Sequence, residues 1–394
     1  MLLSMPTVPV DGEANANFER APERDRWSGP TKRIRPVTFT RHIFARGGKL
    51  KRLPRKTERF PNILETDGVP YIYKHIAIEN FAGLFSQRSP LLLRRPWGFG
   101  LSTFVSMLSD ILDILCYSDD DDPFEMLSRF RVESDPWSRD RAHSYYVLHL
   151  NFSFSEGHNL LEELSRHVHE RCCRLLRRYE IPGSFPSLAS FQDEGVEAII
   201  FALMSRLKVH VKLPRRDWLF IMIENFDGPL EMAFKDRTET LTQFLRTLQR
   251  LLCHGHLGGL LLWSRLDPDG TIYACLHRTP GSPIRQLYAS SELNLPGVLD
   301  LTHHPAFQSA VGFTKTDVQD LDRATAHLRS DASCALLDLL EKERVAPYYF
   351  SAVSKVEQCK FPDVLHRMPS LEDLPVYSSG DVLKVLANKG GVPR

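Results

Sequence analysis

At 394 residues, with 42% hydrophobic and 25% charged residues, the chain is long enough to bury a substantial core and has the make-up of an ordinary soluble protein. A formal charge of +1 excludes a uniformly basic or acidic molecule, and seven scattered cysteines argue for a reducing compartment over a complete disulfide framework. The longest apolar stretch, 257–263, is too short to cross a bilayer, and the opening Met1-Leu2-Leu3-Ser4 lacks the basic n-region of a secretory signal, so a cytoplasmic or nuclear location without a membrane partner is expected.

Residues 1–60 are rich in proline and basic groups and carry neither helical nor strand periodicity, which predicts a mostly disordered arm. Its clusters Lys32-Arg33-Ile34-Arg35 and Lys49-Leu50-Lys51-Arg52-Leu53-Pro54-Arg55-Lys56 suit phosphate contacts, an import signal or a solubilising tail. From about Phe60 the pattern sharpens. An extended piece at 70–76 and a helix at 78–87 lead to an apolar strand at 90–94, then a helix at 102–117. The run Asp119-Asp120-Asp121-Asp122 reads as a solvated connector. Strands are expected at 145–152, 218–223 and 259–263, and helices at 160–179, 194–207 and 241–253. This alternation predicts an α/β core over 61–299, with a mainly parallel sheet flanked by helices, followed by an α-rich extension over 300–394 with helices at 316–327 and 332–342.

The segment Leu91-Leu92-Leu93-Arg94-Arg95-Pro96-Trp97-Gly98-Phe99-Gly100-Leu101-Ser102-Thr103 has the order strand, glycine turn, helix that characterises a phosphate-binding loop. Gly98 and Gly100 permit the turn, and Ser102 or Thr103 supplies a hydroxyl for a metal. Leu101 stands where such a loop places its lysine, which leaves Arg94 or Arg95 as the nearby cations. A turn that simply caps the next helix accounts for the same residues. Glu224 and Asp227 follow the apolar strand at 218–223, where acids support Mg²⁺ and orient water, but the intervening Asn225 cannot accept a proton as a carboxylate does.

Taken together, these segments resemble the AAA-ATPase-like family of fungal and bacterial proteins, with its "YVDKT", "RPRRFGKS" and "LIDEYD" motifs. The matching pieces are Tyr71-Ile72-Tyr73-Lys74-His75, Arg95-Pro96-Trp97-Gly98-Phe99-Gly100-Leu101-Ser102 and Ile223-Glu224-Asn225-Phe226-Asp227 with Pro229-Leu230. Leu293-Asn294-Leu295 and Val311-Gly312-Phe313-Thr314-Lys315-Thr316-Asp317-Val318 resemble later family segments, so the resemblance spans roughly residues 61–325. The resemblance implies a P-loop NTPase-like fold and ATP with Mg²⁺ as cofactors. It places Leu101 at the phosphate-lysine position, Ser102 at the metal hydroxyl, Glu224 at the metal-associated acid and Asn225 at the catalytic glutamate. Tyr73 replaces an aspartate, and Trp263-Ser264 stands in place of a Thr-Gly pair.

These departures imply a degenerate member acting as a scaffold or regulatory protein, with residual nucleotide binding, an unidentified protein partner and no assigned catalytic residue. The alternatives are a diverged ATPase that uses Arg95, and a nucleic-acid-binding module that uses the basic arm. His169, Cys172 and Cys173 could share a predicted helix face and superficially suggest a zinc cluster, but a helix surface or core is the favoured reading. Asp267-Pro268-Asp269-Gly270 reads as a turn.

Overall fold

The apolar runs around 91, 146, 219 and 259 assemble into one parallel sheet, completed by a short strand beyond 297. The structure, a computed structural model, describes residues 37–38, 43–45, 50–54, 60–85, 87–114, 144–153, 159–191, 195–210, 218–231, 237–265, 297–302, 304–329, 334–347 and 376–388. Lys32 to Arg35, the aspartate run, Asp267 to Gly270 and Leu293 to Leu295 lie outside the described residues. In chain order the elements are β1 (Val37–Thr38), β2 (Ile43–Ala45), α1 (Phe60–Glu65), β3 (Pro70–Ile72), α2 (His75–Phe85), β4 (Leu91–Arg95) and α3 (Leu101–Leu112). There follow β5 (Tyr146–Asn151), α4 (Leu160–Arg178), α5 (Gly195–His210), β6 (Leu219–Glu224), α6 (Arg237–Cys253) and β7 (Gly259–Arg265). The chain closes with β8 (Leu299–Asp300), β9 (Phe313–Thr314), α7 (Lys315–Thr325), α8 (Leu336–Lys342), β10 (Val376–Tyr377) and α9 (Ser379–Asn388).

The sheet order is β5-β6-β7-β4-β8, and every pairing is parallel. Strands β4 and β5 are consecutive in the chain yet separated by two others in the sheet. The winding therefore reverses beside β4, which opens a crevice at the carboxyl ends of the strands, the usual ligand position in open α/β sheets. Alternate side chains divide the two faces. Leu219, Ile221 and Ile223 of β6 join one apolar cluster with α4, α5 and α6, while Phe220 and Met222 join another with α2 and α3. A strand buried on both faces explains the unbroken apolar run in β6. The fold is thus the P-loop NTPase-like α/β sheet expected, with an α-rich region following it.

Two boundaries differ from the sequence expectation. The ordered structure does not begin at Phe60, because β1, β2 and β3 form an antiparallel sheet and Ile43, Leu50 and Leu53 are buried. Ile43 and Leu53 pack with Val318, Leu336, Leu340, Val382 and Leu386. A few apolar residues in a basic, proline-rich stretch thus complete the core of the C-terminal helices, and no periodicity advertises them. At the other boundary, β8 belongs to the main sheet, and 305–310 packs against α2 through the buried Phe81–Phe307 ring contact.

Candidate functional site

The turn between β4 and α3 depends on two backbone conformations that glycine adopts without penalty: Gly98 has φ 90° and Gly100 has φ 81°. Gly100 caps α3 without a side-chain hydrogen bond. The carbonyls of the turn are held by segments far along the chain. Gly312 N–H donates to Phe99 O at 2.7 Å, and Gly380 N–H donates to Gly98 O at 2.8 Å. The hydroxyls of Ser378 and Ser379 donate to Gly98 O and Phe99 O at 3.3 and 3.2 Å. The first turn of α9 is therefore docked on the loop.

Leu101 is half-buried and packs onto the apolar cluster beneath α3. Neither neighbouring arginine is placed as a substitute cation. Arg95 is 1% exposed, and its Nη1 donates to the carbonyls of Arg94 and Thr302 at 2.8 and 2.7 Å while Nη2 donates to Phe307 O at 2.7 Å. Alternation along β4 sends Arg94 the other way, where it forms an ion pair with Asp300 at 3.3 Å. Arg95 fastens β4 to the segment after β8, and Arg94 pairs within the sheet.

The acidic strand end is tied into a polar network. Glu224 Oε2 accepts from Asn151 Nδ2 at 3.1 Å, and Asp227 Oδ2 accepts from Ser264 Oγ at 2.9 Å. Asn225 has φ 50° and donates to Ser153 Oγ at 2.6 Å and to Asn151 Oδ1 at 3.3 Å. Asn151 is itself fixed, since its backbone N–H donates to His167 Nε2 at 3.2 Å. That bond needs a neutral ring, and burial, reinforced by the charge of Arg171, pushes the His167 pKa down to about 4.

Gly98, Gly100, Ser102, Thr103, Glu224 and Asp227 all line one cavity of about 550 Å³, and Arg95 contributes to its wall, whereas Arg94 does not. Two further cations reach this space. Lys74 is paired with Asp317 at 2.6 Å, and the guanidinium of exposed Arg265 lies 5.4 Å over the ring of Trp97. Asn151, Ser153, Arg265 and the Ser378-Ser379-Gly380 turn were not identified from the sequence. Asn151 and Arg265 stand at the carboxyl ends of strands, a position that marks them once the sheet order is known.

The loop shape and the Ser102 hydroxyl suit a phosphate group. Leu101 supplies no cation, Arg94 and Arg95 are engaged with protein oxygens, and the side chain of Asn225 is an amide. Among the described residues, no three His, Cys, Asp or Glu side chains gather as a metal site. Cys172 is buried in the core, and Cys173 lies 3.9 Å from His169 Nδ1, whose Nε2 meets Pro186 O at 2.8 Å. No described helix is long and apolar enough to cross a membrane.

The family model described as "Predicted AAA-ATPase" matches residues 56–256, about half of the chain. Comparison with curated proteins and with solved structures gave no match. The match covers the loop and the acidic strand end, and the sheet built from them has the fold the motifs imply. The chain belongs to the AAA-ATPase-like family.

Proposed function

We propose that this chain is a non-hydrolysing member of its family that acts as a scaffold or regulatory protein. The observation that carries the reading is Leu101, which packs against the core at the lysine position while Arg95 turns into the protein. Phosphoryl transfer depends on cations and metal to neutralise developing charge and on a group that positions the nucleophile. Losing one such electrostatic contact typically costs about a hundredfold or more in rate, and here both the lysine and the glutamate are replaced. Arg95, the compensating cation of a diverged ATPase, is bound to the carbonyls of Thr302 and Phe307, which counts against that alternative. The nucleic-acid alternative rests on Lys32 to Arg35 and Lys49 to Lys56, and it requires binding that weakens steeply with salt.

The test is phosphate release from ATP by pure full-length protein with Mg²⁺. The expected rate is that of buffer alone. Turnover that disappears on Asp227→Asn would overturn the reading.

A further inference from the structure

We infer that the cavity between the β4–α3 turn and the C-terminal segment binds a small amphipathic monoanion, a compound with an apolar body and one carboxylate or sulfonate, and that Arg265 is its anion ligand. The inference rests on the reading that this site no longer turns over nucleotide. At about 550 Å³ the space has the size of a small-molecule site. Phe60, Tyr71, Phe104, Met107 and Val311 form an apolar wall, and Leu101 and Trp263 extend it to the positions where the family pattern is polar. An apolar body gains there what a triphosphate cannot. Arg265 stands at the end of β7, its Cα paired with that of Arg95, and it reaches the same space. Among the described residues no carboxylate pairs with Arg265, and its guanidinium lies over the Trp97 ring, which orients it without neutralising it. Lys74, by contrast, is neutralised by Asp317. Glu224 and Asp227 also line the cavity, and their repulsion grows with the charge of an anionic ligand, which disfavours a polyanion more than a monoanion.

The test is calorimetric titration of the full-length protein with decanoate and with decanol, which has the same body without the charge. Arg265→Gln alters an exposed residue, and an unchanged melting temperature checks that the variant is folded. Wild type is expected to bind decanoate at one saturable site, about tenfold more tightly than decanol. Arg265→Gln is expected to lose that tenfold difference and leave decanol binding unchanged. No saturable decanoate binding, or equal decanoate affinity in wild type and variant, overturns the inference. Phosphate release measured on the same samples separates the two claims, because turnover contradicts the non-hydrolysing reading whatever decanoate does.

Discussion

One guanidinium ties the end of β4 to the chain beyond β8. Arg95 gives its donors to the carbonyls of Arg94, Thr302 and Phe307 in a site sealed from water, where a lost donor leaves those oxygens unsatisfied. Arg95→Ala is therefore expected to destabilise the fold by about 3 kcal/mol or more, read from the urea midpoint. Lysine is expected not to restore the loss, because an ammonium cannot reproduce the planar fork. A midpoint within error of wild type would show that Arg95 is not a structural clamp. The sequence identified Arg95 as a charge near a glycine turn but not its direction. That direction depends on carbonyls more than two hundred positions away. Leu101 and Asn225 were legible without the structure, since an apolar side chain and an amide differ from the lysine and glutamate of the motifs they resemble.

At the scale of elements, the start of α9 is hydrogen-bonded to the β4–α3 turn. Ser378 and Ser379 bridge 280 positions of sequence to reach the carbonyls of Gly98 and Phe99. Replacing both serines by alanine is expected to cost roughly 1 kcal/mol per hydrogen bond and to speed amide hydrogen exchange across residues 98–103. Unchanged exchange there would show that α9 does not brace the turn. Gly98→Ala is expected to cost about 1–2 kcal/mol in thermal or urea unfolding, since φ 90° is strained for alanine and its Cβ would lie 3.0 Å from Ser378 Oγ. Strand and helix positions in the core were legible because apolar periodicity reports a local face. Neither α9 nor its docking was anticipated, because the hydrogen bonds of Ser378 and Ser379 join residues 280 positions apart.

For the whole molecule, the parallel sheet could be anticipated from the alternation of strands and helices, but the order β5-β6-β7-β4-β8 could not. Nor could the packing of Ile43 and Leu53 among the C-terminal helices. Stability should also follow pH through two partly buried histidines. Burial holds the His167 pKa down at about 4, with Arg171, Arg166 and Arg174 reinforcing and Glu170 opposing, and burial lowers that of His304 as well. Both rings accept a backbone N–H, from Asn151 and Ala306. In the unfolded chain a histidine titrates near 6.5, so between about pH 6.5 and 4 the unfolded state binds protons that the folded state refuses. Stability is then full above about pH 6.5 and falls as the pH drops toward 4. Melting temperatures across this range are expected to decline, with a shallower decline for His167→Gln. An identical slope in that variant would contradict the assignment to His167.

The most direct test of the central claim is a comparison of wild type with the double variant Leu101→Lys and Asn225→Glu in Mg²⁺-dependent phosphate release from ATP. The account predicts background release from wild type, because Leu101 stands at the cation position of the β4–α3 turn and Asn225 at the base position after β6. Wild-type turnover above background, abolished by Asp227→Asn, would contradict it.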